Sequence, residues 1–308
     1  MKTFLENKDG LYAVENWQPN CWVHVECPTA EDREYLINEL DLPESFLNDI
    51  EDIDERPRVE DEDGWRLIII RTPFLALDKT LPYSTVPIGI IIKDNILVTV
   101  CHYKTEMLSD FILYSKRKKV TILNGYDLVF KLLLSSAIWF LKYLKQISLM
   151  IKNAENELER SIKNQDLQAL LRLEKCLVFF ITSLKGDSIL MHKLNNIKSQ
   201  IEFYDPEQIE DVEIELRQAL ETANIHSDIL SGMMDAYASI ISNNLNVIMK
   251  QLTSISIILM IPTLISSMYG MNVPNAFQHN HFGFFIILFG SFGFSILVFM
   301  LFLKKKWF

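Results

Sequence analysis

Along residues 235–270 the side chains that could do chemistry fall at alternating steps of four and three. They are Asp235, Ser239, Ser242, Asn246, Met249, Thr253, Ser256, Met260, Thr263, Ser267 and Gly270. A 3.5-residue repeat keeps one stripe of a supercoiled helix turned to a common axis. An ordinary seam would hold Leu or Ile; this one holds a carboxylate, hydroxyls, an amide, thioethers and a glycine. Ile257, Ile258, Leu259 and Ile261 beside it are apolar. Two readings fit: small polar residues let membrane helices pack closely, or several copies of the stripe line a wet pathway. The carboxylate at its start, and its extension beyond the apolar run, favour the second. The run closes in "SSMYGMNVPN", Ser266–Asn275, with no charge to anchor it.

Bond-making chemistry has little support. The sequence offers no nucleophile–base set, no Gly-rich phosphate loop and no metal-hydrolase spacing. Cys21, Cys27, Cys101 and Cys176 form no C-x-x-C pair and read as free thiols of a reducing compartment. His279 and His281 form an H-x-H pair suggestive of zinc, although two histidines in a short polar loop are more often incidental. His24, His102, His192 and His226 have no ligand spacing and read as structural.

The 308 residues carry a formal charge of −10, distributed unevenly. Gln251 to Leu303 contains no Asp, Glu, Lys or Arg, so all 40 acidic residues lie before it. The chain reads as an acidic body joined to a membrane-compatible tail. Such a body argues against nucleic acid, which selects clustered positive charge. The one basic run of this body, Lys116–Lys119, reads as a solvated helix end. The N-terminus lacks the apolar core of a signal peptide, so the body is expected in the cytoplasm.

Strands are expected at Cys21–Cys27 and Trp65–Phe74, and two more across Val86–His102 around a turn at Lys93, Asp94 and Asn95. Thr29 should cap a helix between the first two. From about Asp127 the texture is helical. The apolar stretch Leu132–Leu141 is too short to cross about 30 Å of hydrocarbon, so a buried amphipathic helix is expected, with a second over roughly Asp166–Lys198. Asp205 is a candidate N-cap with Pro206 at the first helical position. No clear terminator follows before Gly270, and Pro262 would fall inside the membrane. Leu252–Tyr269 and Phe282–Leu303 are the two candidate spans. Lys250 and Lys304–Lys306 flank them, placing both termini in the cytoplasm by the positive-inside rule.

Tyr269, Gly270, Met271 and Asn272, at the outer end of the first span, resemble the signature of the CorA family of divalent-cation transporters. The two spans, the long helix before them, the acidic α/β domain and the terminal "KKKWF" fit the same family. The resemblance is specific in the C-terminal third and architectural before it. It implies an α/β cytoplasmic domain, a long stalk helix and two C-terminal transmembrane helices, assembled as a homopentameric funnel around a pore. Gly270, Met271 and Asn272 would be the selectivity filter, supported by Tyr269. Mg²⁺ gives up water reluctantly, so a site that binds and releases it quickly should address the hydrated ion. Amide carbonyls accept hydrogen bonds from that water shell, whereas carboxylates would hold the ion longer. Gly270 should let the backbone turn away from the helix.

The resemblance also makes Asn246 a polar ring, Asp235 an acidic ring nearer the cytoplasm, and Met249 with Leu252 a constriction that closes by dewetting. Thr253, Ser256, Met260, Thr263 and Ser267 complete the lining. In the family, cytoplasmic Mg²⁺ bound between subunits holds the pore closed. Asp211 lies on the stretch that supplies one such carboxylate; a solvated acidic face is the alternative, and its partner within "DIEDIDERPRVEDED" is unassigned. Mg²⁺ is thus the transported and the regulatory ion, with no organic cofactor. The implied partners are further copies of the chain, Mg²⁺ with Co²⁺ or Ni²⁺ as secondary ions, and the lipid of a plasma membrane. The outer loop departs from the family in having no acids. A Zn²⁺ transporter of the same family and a membrane-anchored coiled-coil signalling protein are the competing readings. The expected division is residues 1–125 (α/β domain), 126–204 (helical hairpin), 205–271 (stalk and first span), 272–281 (external loop), 282–303 (second span) and 304–308 (basic tail).

Overall fold

The computed structural model describes the chain except for residues 20, 77–80, 161–163, 198–204, 272–280, 306 and 308. It falls into two units, Met1–Gly232 and Met233–Phe308. Seven strands arise in the first: β1 (Lys2–Asn7), β2 (Leu11–Val14), β3 (Trp22–Glu26), β4 (Arg58–Glu62), β5 (Trp65–Leu75), β6 (Tyr83–Lys93) and β7 (Ile96–Cys101). They pair in the order β2-β1-β3-β7-β6-β5-β4. Only β3 and β7 run parallel; the other neighbours are antiparallel. The three predicted strand regions are all present, while the β1–β2 hairpin was not anticipated.

Successive strand residues face opposite ways, and Leu67, Ile68, Ile69 and Ile70 of β5 are all fully buried. Both faces of the sheet are therefore covered. On one, Leu67 and Ile69 share a core with Leu36 of α1 (Ala30–Asn38) and with Phe46 and Ile50 of α2 (Glu44–Glu51). Gly89 makes that approach possible, since a Cβ there would lie 2.1 Å from Ile50 Cδ1. The Thr29 cap forms as expected: its hydroxyl accepts from the Asp32 N–H at 3.2 Å, and the Asp32 carboxylate accepts from the Thr29 N–H at 3.1 Å.

The helices α4 (Gly125–Arg160) and α5 (Asn164–Ile197) also pack on β5 and β6. Leu132, Leu133, Ala137 and Phe140 are buried there, so this apolar stretch is core and not a span. Arg71 of β5 ties the layers together. Its guanidinium donates to the carbonyls of Ile53 and Glu55 at 2.8 and 2.6 Å, to Ser183 Oγ on α5 and to Thr85. Its own carbonyl accepts from Ser136 Oγ on α4 at 2.9 Å. Between sheet and α4, α3 (Glu106–Lys118) ends in the basic run, with Lys119 in the left-handed conformation as its C-cap.

The last two helices are α6 (Pro206–Tyr269), unbroken over 64 residues, and α7 (Gly283–Lys304). Asp205 Oδ1 accepts from the Glu207 N–H at 3.0 Å, the N-cap expected ahead of Pro206. Gln208 Nε2 donates to the Asp127 carbonyl at 3.4 Å and Asn195 Nδ2 to Glu213 at 3.2 Å, fixing the start of α6 within the first unit. Both α6 and α7 are long and apolar enough to cross a membrane.

Candidate functional site

Within the unit Met233–Phe308, α6 has two unlike sides. From residue 251 onward, Gln251, Ser254, Ile258, Ile261, Ile265 and Tyr269 are buried or half-buried. At about 100° per residue these positions share one side of the helix. On that side Ser295 Oγ of α7 reaches the Ile258 carbonyl at 3.3 Å, and Ser291 and Ser295 are themselves buried. This is the side α7 covers. Thr253, Ser256, Met260, Thr263 and Ser267 lie roughly 180° away, and all are exposed. The polar stripe turns its back on the chain's own second span.

Three hydroxyls of the stripe have a definite polarity. Thr253 donates to the Met249 carbonyl at 2.8 Å, Ser256 to Leu252 at 2.8 Å and Thr263 to Leu259 at 3.1 Å. With each proton engaged in its own helix, the oxygen offers only lone pairs outward. Water around a cation points its hydrogens away from the ion, so lone pairs presented in this way suit the shell of a hydrated cation.

Asp235, Asn246, Met249 and Leu252 are exposed on α6 as well. The last two are apolar and still 53% and 58% exposed, a cost in water that further copies packed around them would remove. At the other end Tyr269 is half-buried and Gly270 and Met271 are exposed. α6 ends at Tyr269, and Gly270 follows it without a positive φ: among the described glycines only Gly10 and Gly64 have one. The Gly270 N–H still bonds the Ser266 carbonyl at 3.0 Å, so the helical ladder runs up to it. An added Cβ would meet Ser266 O and Ser267 O at 3.4 and 3.5 Å, ordinary contact distances. Asn272 and His279 lie outside the described residues; His281 is exposed.

Asp211 is exposed on α6 between the buried Ile209 and Val212. Among the described residues, no group of three or more His, Cys, Asp or Glu could hold a metal within one chain. Much of the acidic stretch before β5 is neutralised by arginines. Arg58 pairs with Asp49 at 2.6 Å, Glu60 at 2.8 Å and Glu55; Arg66 pairs with Asp61 at 2.5 Å. His24 is buried against Thr99 Oγ1 at 3.0 Å, and burial lowers its pKa to about 4. It is a neutral core histidine, as expected. The four cysteines are free.

No residue of the second span was singled out from sequence. Ser291 and Ser295, one turn apart in an otherwise apolar helix, were the available signal. Past its end the Trp307 ring stacks on Phe302 with centroids 5.2 Å apart, an aromatic pair suited to a membrane interface.

A mixed α/β unit, one long helix passing into an apolar span, and a second apolar span define the architecture of a membrane protein. The family model described as "CorA-like Mg2+ transporter protein" matches residues 17–306, and the chain belongs to that family. It is 26% identical over 275 residues to the cobalt/magnesium transport protein CorA of Methanocaldococcus jannaschii, covering 87% of this chain and 84% of the relative. A second relative, the cobalt/magnesium transport protein CorA of Thermotoga maritima, is 35% identical over 91 residues, 29% of this chain and 26% of that protein. The complete structure of the M. jannaschii CorA magnesium transporter superposes with a TM-score of 0.83 at 22% identity, covering 100% of this chain and 99% of that one. That last likeness concerns the fold. The family consists of membrane transporters and not enzymes, and α6 and α7 supply the two membrane-spanning helices.

Proposed function

We propose that copies of this chain assemble as a homopentameric channel for hydrated Mg²⁺, with Co²⁺ and Ni²⁺ as secondary ions. The carrying observation is the stripe from Thr253 to Ser267: exposed, opposite α7, with the hydroxyl protons of Thr253, Ser256 and Thr263 turned into the helix. Copies packed on this side would enclose a pathway lined by acceptors. Gly270, Met271 and Asn272 form its outer filter, supported by Tyr269; Asn246 and Asp235 form inner polar rings. Met249 and Leu252 are the constriction. In a plasma membrane with both termini cytoplasmic, entry is driven by the inside-negative potential, about 4.6 kcal/mol for a divalent ion at 100 mV.

Closure follows from cytoplasmic Mg²⁺ bound between subunits, with Asp211 as one ligand and α6 as the element that carries motion to the constriction. Residues 1–125, 126–204, 205–271, 272–281, 282–303 and 304–308 then serve as body, helical hairpin, stalk with first span, external loop, second span and tail. The test is uptake of Mg²⁺, Co²⁺, Ni²⁺ and Zn²⁺ into liposomes holding the purified chain. Mg²⁺ uptake driven by an inside-negative potential is the expected result. Zn²⁺ uptake without Mg²⁺ uptake would replace it with the zinc reading, and no uptake of any ion would leave the stripe as a packing seam.

A further inference from the structure

Pro262 lies inside α6, within its apolar stretch. A proline has no N–H, so the carbonyl four residues earlier, that of Ile258, loses its helical donor, and the ring crowds the same carbonyl. Inside hydrocarbon no bulk water replaces the missing bond; a neighbouring helix must. The group in position is Ser295 Oγ of α7, 3.3 Å from Ile258 O. Ser295 has a second acceptor, the Ser291 carbonyl of its own helix at 3.1 Å. At 6% exposure its hydroxyl is largely shielded from outside competitors. A single proton therefore stands between two carbonyls, one on each span.

We infer that Ser295 is a positioning residue for the ion pathway, standing in for the N–H that Pro262 lacks and fixing α6 at its weakest point. The inference rests on the pathway reading above. Pro262 divides the stripe, with Met249 to Met260 before it and Thr263, Ser267 and Gly270 after it. Half-buried like the positions facing α7, it would swing the outer segment toward or away from the stripe side if it flexed. With the Ser295 proton on Ile258 O, the carbonyl left open one turn before Pro262 is bonded and α6 is held to α7 at the base of the outer segment. With the proton on Ser291 O, α7 keeps its own bond, the Ile258 carbonyl is released and the outer segment can tilt. Ser295 thus couples the placement of the filter end to the second span.

The test is a double-mutant cycle in the full chain, in liposomes, with Ser295→Ala, Pro262→Ala and the pair. Potential-driven Mg²⁺ uptake and the thermal unfolding midpoint in lipid are both read. Ser295→Ala is expected to slow uptake roughly threefold, the size of an average side-chain hydrogen bond in a membrane, and to lower the midpoint. Ser295→Thr, which keeps the hydroxyl, should restore both. With Pro262→Ala the new N–H takes the Ile258 carbonyl, so adding Ser295→Ala should then change nothing. An equal loss in both backgrounds, or no loss beside Pro262, overturns the inference. If Pro262→Ala does not fold, infrared spectra of an isotope-labelled Ile258 carbonyl decide: Ser295→Ala must shift its band, and an unmoved band overturns the assignment. The spectroscopic and unfolding readouts need no transport, so a parent chain that moves no Mg²⁺ defeats the channel reading without being confused with failure of the hydrogen bond.

Discussion

Asp187 accepts the backbone N–H of Arg71 at 2.9 Å while the Arg71 guanidinium points to other partners. The carboxyl is fully buried, and that burial pushes its pKa up to about 8 despite the Arg71 N–H and charge. The folded chain therefore holds a proton at pH 6 that the unfolded chain has released. Stability from this group is full below the unfolded value near 4 and is lost as pH rises through about 8. Asp187→Asn keeps an acceptor for the Arg71 N–H and removes the titration. The variant should match the parent near pH 4 and exceed it progressively, by up to about 1.4 kcal/mol per pH unit crossed, levelling above pH 8. Unfolding midpoints across that range check this; a parent–variant gap independent of pH contradicts it.

At the filter, Asn272→Ala is expected to abolish or severely reduce Mg²⁺ uptake while assembly is preserved. Uptake at the parent rate by a correctly assembled variant removes the role of the amide. Gly270→Ala is expected to impair transport as well, with no ligand lost. The single chain tolerates the Cβ, so lost transport would report crowding between copies at the mouth, and normal transport would show that the mouth is wide there.

The hydroxyl stripe and the α7-facing side should respond oppositely. Thr263→Val preserves shape but deletes the lone pairs offered to hydrated cations, and uptake should fall severalfold. Ser254 is buried with an Oγ that has no hydrogen-bond partner among the described residues, so Ser254→Ala should be neutral or stabilising. Uptake rates and melting temperatures of the two variants give the comparison.

Cytoplasmic Mg²⁺ is expected to protect the unit Met1–Gly232 from proteolysis by joining neighbouring subunits. Asp211→Lys supplies positive charge in place of the ion and should lower the Mg²⁺ needed for closure or remove the dependence. A parent chain whose protease sensitivity and conductance both ignore Mg²⁺ would refute the gating proposal. A variant identical to the parent would release Asp211 alone.

Replacing His279 and His281 together by Ala should leave Mg²⁺ uptake nearly unchanged. Zn²⁺ uptake abolished in that variant, in a parent that never carried Mg²⁺, is the outcome that favours zinc.

The limits of α6 could be read from sequence because their signals are local: Asp205 and Pro206 open it and Gly270 follows its end. The side of α6 that bears the stripe could also be read, since a helix converts spacing directly into direction. The parallel pairing of β3 with β7 joins residues such as His24 and Thr99, and nothing near either reports the other. Asp187 sits between Gly186 and Ser188 and looks like an ordinary polar position; only the arrival of β5 buries it. Ser295 gains its meaning only when Ile258, on another helix, has been robbed of a donor by Pro262.

The order of the elements along the chain also sets a timetable for synthesis. The sheet is complete at Cys101, and α4 and α5 that cover it end at Ile197, before the charge-free stretch beginning at Gln251 leaves the ribosome. Domains fold from the N-terminal side as they are made, so the insertion machinery receives the two spans attached to a body already folded. Such a body does not pass through a bilayer. In the topology proposed above, with both termini cytoplasmic, what must be translocated is the connection between α6 and α7, and from Met271 to Phe282 it contains no Asp, Glu, Lys or Arg. A charge-free segment is the one that crosses hydrocarbon at the lowest cost.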